Sequence, residues 1–215
     1  MKRIVLVCAL GMSMALVSGC QSAYYSAMEQ VGVHKREILV DRVEDTRDAQ
    51  DEAQQQFVSA LEQFRTVVNF DGGELEAVYD NLQAEYNNSA DAAEAVSRNI
   101  RQVEDVAQAL FDEWNDELEQ YTNQKLRSQS AGALRDTKTR YQQLHASLKR
   151  AEARMQPVLS ALRDNTLYLK HNLNARAIGS LKGEFAGIKQ DIDRLVVEMQ
   201  RSIKQSDQFI RDMQQ

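Results

Sequence analysis

Apolar side chains recur along this chain at alternating spacings of four and three residues. Such spacing places them in one stripe of an α-helix, and a stripe of this kind leaves water only by packing against another. Polar residues Thr46 and Gln50 interrupt the first stripe. The sequence therefore predicts an all-α fold, an elongated antiparallel helical bundle or coiled coil of three to four long helices. The four stripes, called seams below, span residues 39–67, 75–121, 134–169 and 181–213.

Few residues could interrupt these helices. The 215 residues include one Pro and nine Gly, too few to separate the many short strands of a sandwich or barrel. Asp71, three residues before Glu74, is predicted to cap the second helix in a capping-box arrangement. We expect a kink at 87–89, and a bend or a helix restart at Pro157. Turns are predicted at residues 69–74, 128–132 and 171–174.

Charge is distributed unevenly between the helices. Residues 71–120 contain 14 acidic and 2 basic side chains, whereas residues 121–182 contain 3 acidic and 12 basic ones. Flanking charges of opposite sign favour antiparallel pairing of the second and third helices. The overall balance of 26 basic to 32 acidic residues argues against a nucleic-acid partner. The basic residues predicted to face the acidic helix are Lys138, Arg140, Lys149, Arg150 and Arg154.

The N-terminus has the pattern of a secretory signal peptide. Lys2 and Arg3 precede an uncharged run of 14 residues at 4–17, which is too short to span a bilayer. The run ends in Val17-Ser18-Gly19-Cys20, which resembles the lipobox of bacterial lipoproteins. That resemblance implies removal of residues 1–19 and acylation of Cys20. The alternative is an ordinary cleavage site beside a chance cysteine.

Lipidation determines the expected location and domain organisation. In lipoproteins, Asp directly after the acylated Cys usually implies retention at the inner membrane, and here that position is Gln21. The resemblance thus favours the outer membrane, periplasmic face, over the inner membrane. The expected organisation is a signal peptide at 1–19, a lipidated tether at 20–32 and a helical bundle at 33–215.

Several segments of the mature chain resemble an uncharacterised family of proteobacterial lipoproteins. They are residues 21–29 (QSAYYSAME), 33–43 (VHKREILVDRV), 140–141 (RY), 155–159 (MQPVL) and 169–175 (LKHNLNA). Genome labels sometimes describe such proteins as DNA repair ATPases. The family brings no catalytic or binding residues to carry over.

Motifs for chemistry are sparse. The glycine-rich stretch 179–183 lacks the spacing and the preceding strand of a phosphate-binding loop, so an ATPase finds no support in the residues. The histidines His34, His145 and His171 are scattered and none forms a Glu-x-x-His pair. We therefore expect no metal, no cofactor and no catalytic residues.

Three surface features are candidates for binding. The turn containing Lys170, His171, Asn172, Asn174 and Arg176 is the predicted partner-binding tip, with a simple solvated turn as the alternative. The run His34-Lys35-Arg36 could contact anionic head groups, or it could be a solvated helix start. Gly179, Gly183 and Gly187 share one helix face, which indicates either a close neighbour or a flexible segment.

The expected function is a non-enzymatic scaffold or adaptor of the bacterial cell envelope. A lipid anchor would hold the chain on the membrane, and an envelope protein or a second copy would be its partner. Two other classes remain open, a nucleotide hydrolase and a binder of lipid or cell-wall ligands. The first is suggested by the genome label alone, and the second requires a cavity between the helices.

Overall fold

Four long helices make up the body of the protein. The computed structural model describes Tyr25, Met28 and residues 32–214, so the signal peptide and Cys20 lie outside the described residues. Within this part there is no strand, and no helix is long and apolar enough to cross a membrane. The helices are α1 (Lys35–Val68), α2 (Leu75–Gln120), α3 (Gln124–Lys170) and α4 (Ala175–Gln214).

Each helix packs against two others, in the cyclic order α1, α2, α3, α4. The start of α1 lies beside the ends of α2 and α4, since Lys35 contacts Glu113 and Arg36 contacts Met213. Consecutive helices therefore run antiparallel. The predicted all-α antiparallel bundle is confirmed, with four helices.

The predicted seams form the core, except at the end of the second seam, where Glu117 and Tyr121 are exposed. All nine seam positions of α1, including Thr46 and Gln50, are 0% exposed. Contacts between α1 and α4, such as Phe64 stacking on Phe185 at 6.1 Å, set the register of the two antiparallel seams. In that register Gln50 lies within one helical turn of Ser202. The core is thus a stack of side-chain layers with a polar section near its middle.

The turn between α2 and α3 lies earlier than predicted. Residues 128–132 are inside α3, and the turn occupies residues 121–123. The reason is the cap, because the Asn123 side chain accepts hydrogen bonds from the backbone N–H groups of Lys125 and Leu126 at 3.0 and 3.2 Å. These N–H groups have no partner within the helix, so the cap begins α3 at residue 124.

One further local prediction is wrong. The N-cap of α2 is Glu74, without a side-chain capping bond, rather than Asp71. Gly72 and Gly73 explain the later start, since their φ angles of 149° and 115° complete the chain reversal before the helix begins. At Pro157 the structure excludes a helix restart, because α3 is continuous through it, and a bend there stays a prediction. Residues 87–89 lie within α2, and a kink there also stays a prediction.

At one end, α2 and α3 extend beyond the other two helices. The start of α1 lies level with Glu113 of α2, and the end of α4 lies near Arg140 of α3. The seven further residues of α2, 114–120, add about 10 Å at 1.5 Å per residue. We call this two-helix extension, residues 114–137, the overhang. Its helices are joined by a hydrogen bond from Trp114 Nε1 to Ser130 Oγ at 2.8 Å.

Candidate functional site

The candidate site is the predicted tip, the α3–α4 turn. Its asparagines have structural roles. Asn172 Nδ2 donates to the carbonyl of Tyr168 at 2.8 Å, at the end of α3. Asn174 Oδ1 accepts from the backbone N–H groups of Arg176 and Ala177 at 3.0 and 3.1 Å, which caps the start of α4. The two amides thus hold the turn in shape and leave its other side chains for binding.

Apolar side chains that sequence analysis missed are exposed at this tip. Leu167, Tyr168 and Leu173 are 47%, 41% and 42% exposed, although large apolar side chains are usually covered. The sequence did contain a signal, since Leu167 and Tyr168 fall between the seam positions Thr166 and Leu169. An apolar residue off the seam has no place in the core of a bundle.

Positive charge surrounds these apolar side chains. Lys170, His171 and Arg176 are exposed, and residues 165–183 contain no carboxylate. Exposed apolar groups ringed by polar ones are typical of interaction surfaces. We use the name tip surface for Leu167, Tyr168, Lys170, His171, Leu173 and Arg176.

The other predicted basic group is used largely in packing. The Lys35 ammonium donates to Glu113 Oε1 at 2.9 Å, and the Lys35 side chain is 11% exposed. The Arg36 guanidinium donates to the carbonyl of Met213. The backbone N–H of His34 donates to the Glu37 carboxylate at 3.4 Å. These contacts fasten the start of α1 to α2 and α4, and head-group contact by these residues stays a prediction.

The predicted pairing of α3 cations with α2 is found for Lys149 and Lys138 and is wrong for Arg140. Lys149 lies 3.9 Å from Glu104 of α2, and Lys138 lies over the Phe111 ring of α2 at 5.4 Å. Arg140 instead lies 3.8 Å from Asp212 of α4. At 100° per residue these cations cannot share one face of a helix. Arg150 and Arg154 are exposed, and neither is in an ion pair with the described residues of α2.

Polar contacts between α2 and α3 centre on Glu104. His145 Nε2 lies 2.7 Å from the Glu104 carboxylate, and the Tyr141 ring stacks on the His145 ring at 5.8 Å. Burial, together with the negative charges of Glu104 and Asp105, raises the pKa of Tyr141 to about 12. Tyr141 therefore stays protonated at physiological pH, and this cluster acts as a contact between helices.

A second polar contact lies further along the same interface. Burial raises the pKa of the Glu152 carboxyl, but hydrogen bonds from Lys149 and Ser97, together with the positive charges of Lys149 and Arg101, outweigh burial and leave the pKa below its usual range. Lys149 Nζ lies 2.5 Å from Glu152 Oε2. In the described part of the chain, no three His, Cys, Asp or Glu side chains are grouped so that they could hold a metal ion.

A groove of about 610 Å³ lies on the surface between α2 and α3, next to this contact. Small side chains, Ala90, Ala93 and Ala153 among them, leave space between the two helices. The seam residues Ala93 and Met155 lie at its floor, 4% and 2% exposed. The groove is therefore a surface feature above a filled core.

The glycine strip of α4 has no close neighbour within the described chain. A Cβ atom built on Gly179, Gly183 or Gly187 would meet nothing within 4 Å. The three positions lie on the outer face of α4, away from its seam. Packing of the bundle therefore gives no reason for glycine there.

Comparison with known proteins finds one family. A family model described as "Protein of unknown function (DUF2959)" matches residues 24–213, which is nearly all of the described chain. No curated protein and no solved structure matches.

Proposed function

Because the chain belongs to the DUF2959 family of proteins of unknown function, we propose its role from its own residues. We propose a non-enzymatic lipoprotein of the bacterial cell envelope, acylated at Cys20 and facing the periplasm. It acts as a scaffold or adaptor that holds a partner protein at a distance from the membrane. The partner binds the tip surface.

The distance between the start of α1 and the tip surface supports this proposal. Residue 20 precedes α1, and the tip surface lies at the far end of the bundle, where α1 ends. The 34 residues of α1 separate these ends by about 50 Å. A rigid spacer of this length suits a protein that connects a membrane to something beyond it.

The exposed apolar side chains of the tip carry the proposal. Leu167, Tyr168 and Leu173 cluster within seven residues, next to Lys170 and Arg176. Aromatic and aliphatic anchors with a polar rim are the usual composition of a protein interface. The expected partner surface is apolar at its centre and acidic at its edge.

Site-specific photocrosslinking in cells tests this role of the tip. A benzophenone amino acid replaces Leu173, or in the control Val58, which is equally exposed on the side of α1 at 42%. We expect a discrete protein adduct from position 173 alone, weakened by the charge reversals Lys170→Glu and Arg176→Glu. Equal adducts at both positions, or none at position 173, would argue against the tip as an interface.

The anchor is tested by exchanging the two cysteines separately. Cys20→Ser should abolish acylation and leave the protein unprocessed or released from the membrane, because the acyl chains need that thiol. Cys8→Ser, within the predicted signal peptide, is the matched control and should leave processing unchanged. Mass spectrometry of the mature N-terminus and membrane fractionation report the result. A Cys20→Ser chain that is still acylated would contradict the lipoprotein proposal.

Location and lack of activity are tested separately. Separation of the two membranes on a density gradient should place the protein with the outer membrane, as Gln21 suggests. Recovery in the inner-membrane fraction would overturn that assignment while leaving the anchor intact. Purified protein lacking residues 1–20 should not hydrolyse ATP, and appreciable turnover would favour the nucleotide hydrolase instead.

A further inference from the structure

The overhang ends in an exposed turn with apolar and basic side chains. Tyr121 and Leu126 are 40% and 50% exposed. Lys125 and Arg127 flank Leu126 and are also exposed. Residues 120–135 contain three basic side chains and no carboxylate. This composition differs from that of the preceding helix, which is strongly acidic.

The N-terminal segment reaches the same end of the bundle. Tyr25 is only 6% exposed, and its ring centroid lies 6.0 Å from the Lys35 ammonium. Together with Ala109, Glu113 and Gln120 of α2, Tyr25 lines a surface depression at the base of the overhang. Tyr25 is therefore packed on the flank of α2, close to the overhang.

Chain length then limits the distance to the anchor. Tyr25 follows Cys20 by five positions, so the chain between the two residues can span at most about 17 Å. From Glu113, beside Tyr25, the end of α2 at Gln120 is about 10 Å further along the helix axis. Both Cys20 and the turn of the overhang can thus reach one plane beyond the end of the bundle.

We propose that the end of the overhang, which comprises the turn at 121–123 and the first four residues of α3 at 124–127, is a second membrane contact, seated on the phospholipid surface that holds the anchor. The inference rests on the proposed acylation of Cys20. Two contacts fix the direction of the bundle, so that its long axis stands away from the membrane and the tip surface faces outward. One flexible anchor alone would leave the body free to lie flat.

The side chains of the turn suit this role. Tyrosine has an apolar ring and a polar hydroxyl, which favours the boundary between acyl chains and head groups. Lys125 and Arg127 attract anionic head groups, by about 1 kcal/mol for each basic residue near the surface. Asp116, Glu117 and Glu119 stand just behind the turn and oppose this attraction. We therefore expect Tyr121 and Leu126 to contribute most of the contact.

A fluorescent label at the turn tests the proposal. Leu126→Cys is introduced into the lipoprotein, in which acylation of Cys20 leaves no other thiol, and it is labelled with an environment-sensitive dye. The lipoprotein is then inserted into vesicles of phosphatidylethanolamine and phosphatidylglycerol. We expect dye emission to rise several-fold with a blue shift, and spin-labelled lipids to quench it. Labels at Val58→Cys and Leu173→Cys are the controls and should remain as in water.

Each outcome decides between the proposals. Intact mass without an acyl chain at Cys20 would overturn the proposed anchor. An acylated protein whose label at position 126 is as polar as the label at position 58 would overturn only the second contact. Quenching at position 173 would show a body lying flat, which also contradicts the inference. In the supporting case, Tyr121→Ser should reduce the emission at position 126 by at least half while acylation stays complete.

Discussion

Gln50 shows how a single residue can act against the stability of the bundle that surrounds it. It is fully buried, and within the described chain neither atom of its side-chain amide has a hydrogen-bond partner. The buried hydroxyls of Ser202 and Ser206 also have no hydrogen-bond partner within the described chain. A buried polar group without a partner costs about 1–3 kcal/mol. Polar groups in the seam of a coiled coil can specify register at the expense of stability.

Gln50→Leu should therefore stabilise the bundle. Removing both unpaired atoms is expected to raise the free energy of unfolding by about 1–3 kcal/mol. Urea denaturation of the soluble body, followed by circular dichroism, measures the change. Gln55→Leu, on the exposed side of the same helix, is the control and should shift stability by less than about 0.5 kcal/mol. If Gln50→Leu destabilises the bundle, the amide is satisfied in solution.

Tyr141 predicts a dependence on alkaline pH. Its pKa is raised to about 12, whereas an unfolded tyrosine ionises near pH 10. The unfolded chain thus loses this proton first, so the contribution of Tyr141 to stability is complete below pH 10 and falls as the pH rises towards 12. Tyr141→Phe should make the loss of stability between pH 10 and 12 less steep. An unchanged slope in the variant would assign that loss to other groups.

Among the elements, α4 contains glycines whose conformation any residue could adopt. Gly179, Gly183 and Gly187 are helical and exposed, and an added Cβ meets nothing. Glycine in a helix is less favourable than alanine by about 0.5–1 kcal/mol. Each Gly→Ala substitution should raise the free energy of unfolding by that amount in urea denaturation.

The α1–α2 turn is the control, because its backbone conformation requires glycine. Gly72 and Gly73 also have open space around them, but their φ angles are 149° and 115°. Alanine rarely adopts these angles, so Gly73→Ala should destabilise the protein. If the three α4 substitutions destabilised it as well, the strip would be in contact with something that the isolated bundle lacks.

Boundaries of elements were harder to predict than their interiors. The seam of α1 was placed correctly along its whole length, and that of α4 at every position except the half-buried Phe185, since burial repeats with the helical period. The start of α3 was misplaced because Gly132 was read as a turn residue. The single cap at Asn123 outweighs it, because a glycine costs a long helix little.

For the whole molecule, apolar layers rather than ion pairs hold the helices together. Between helices, pairs such as Arg47–Asp207 and Arg140–Asp212 lie at 3.5 and 3.8 Å on the surface. Exposed pairs contribute about 0–1 kcal/mol each. The unequal charges of α2 and α3 therefore favour their pairing without strongly stabilising it.

High salt should accordingly change the thermal stability of the bundle only slightly. At 1 M NaCl the Debye length is about 3 Å, which screens exposed pairs and leaves the layers intact. We expect the Tm of the soluble body to fall by less than about 5 °C, since 1 kcal/mol corresponds to about 2–4 °C at this size. Helix content at 25 °C should not change. A fall of more than 10 °C would mean that charge holds the helices together.

The sequence by itself determined the fold class, a count of three to four helices and most of the buried face of each, down to the polar positions Thr46 and Gln50. It could do so because the spacing of apolar residues along the chain, which sets the helical period and the buried face, is a local property of the sequence. Only the tertiary structure decided which helices are neighbours and which helix each cation of α3 approaches. The tertiary structure also decided that α2 and α3 extend beyond α1 and α4 at one end of the bundle. It decided as well that Asn172 and Asn174 cap helices while Leu173 stays exposed. These features depend on register between distant segments, and register results from packing of the complete bundle.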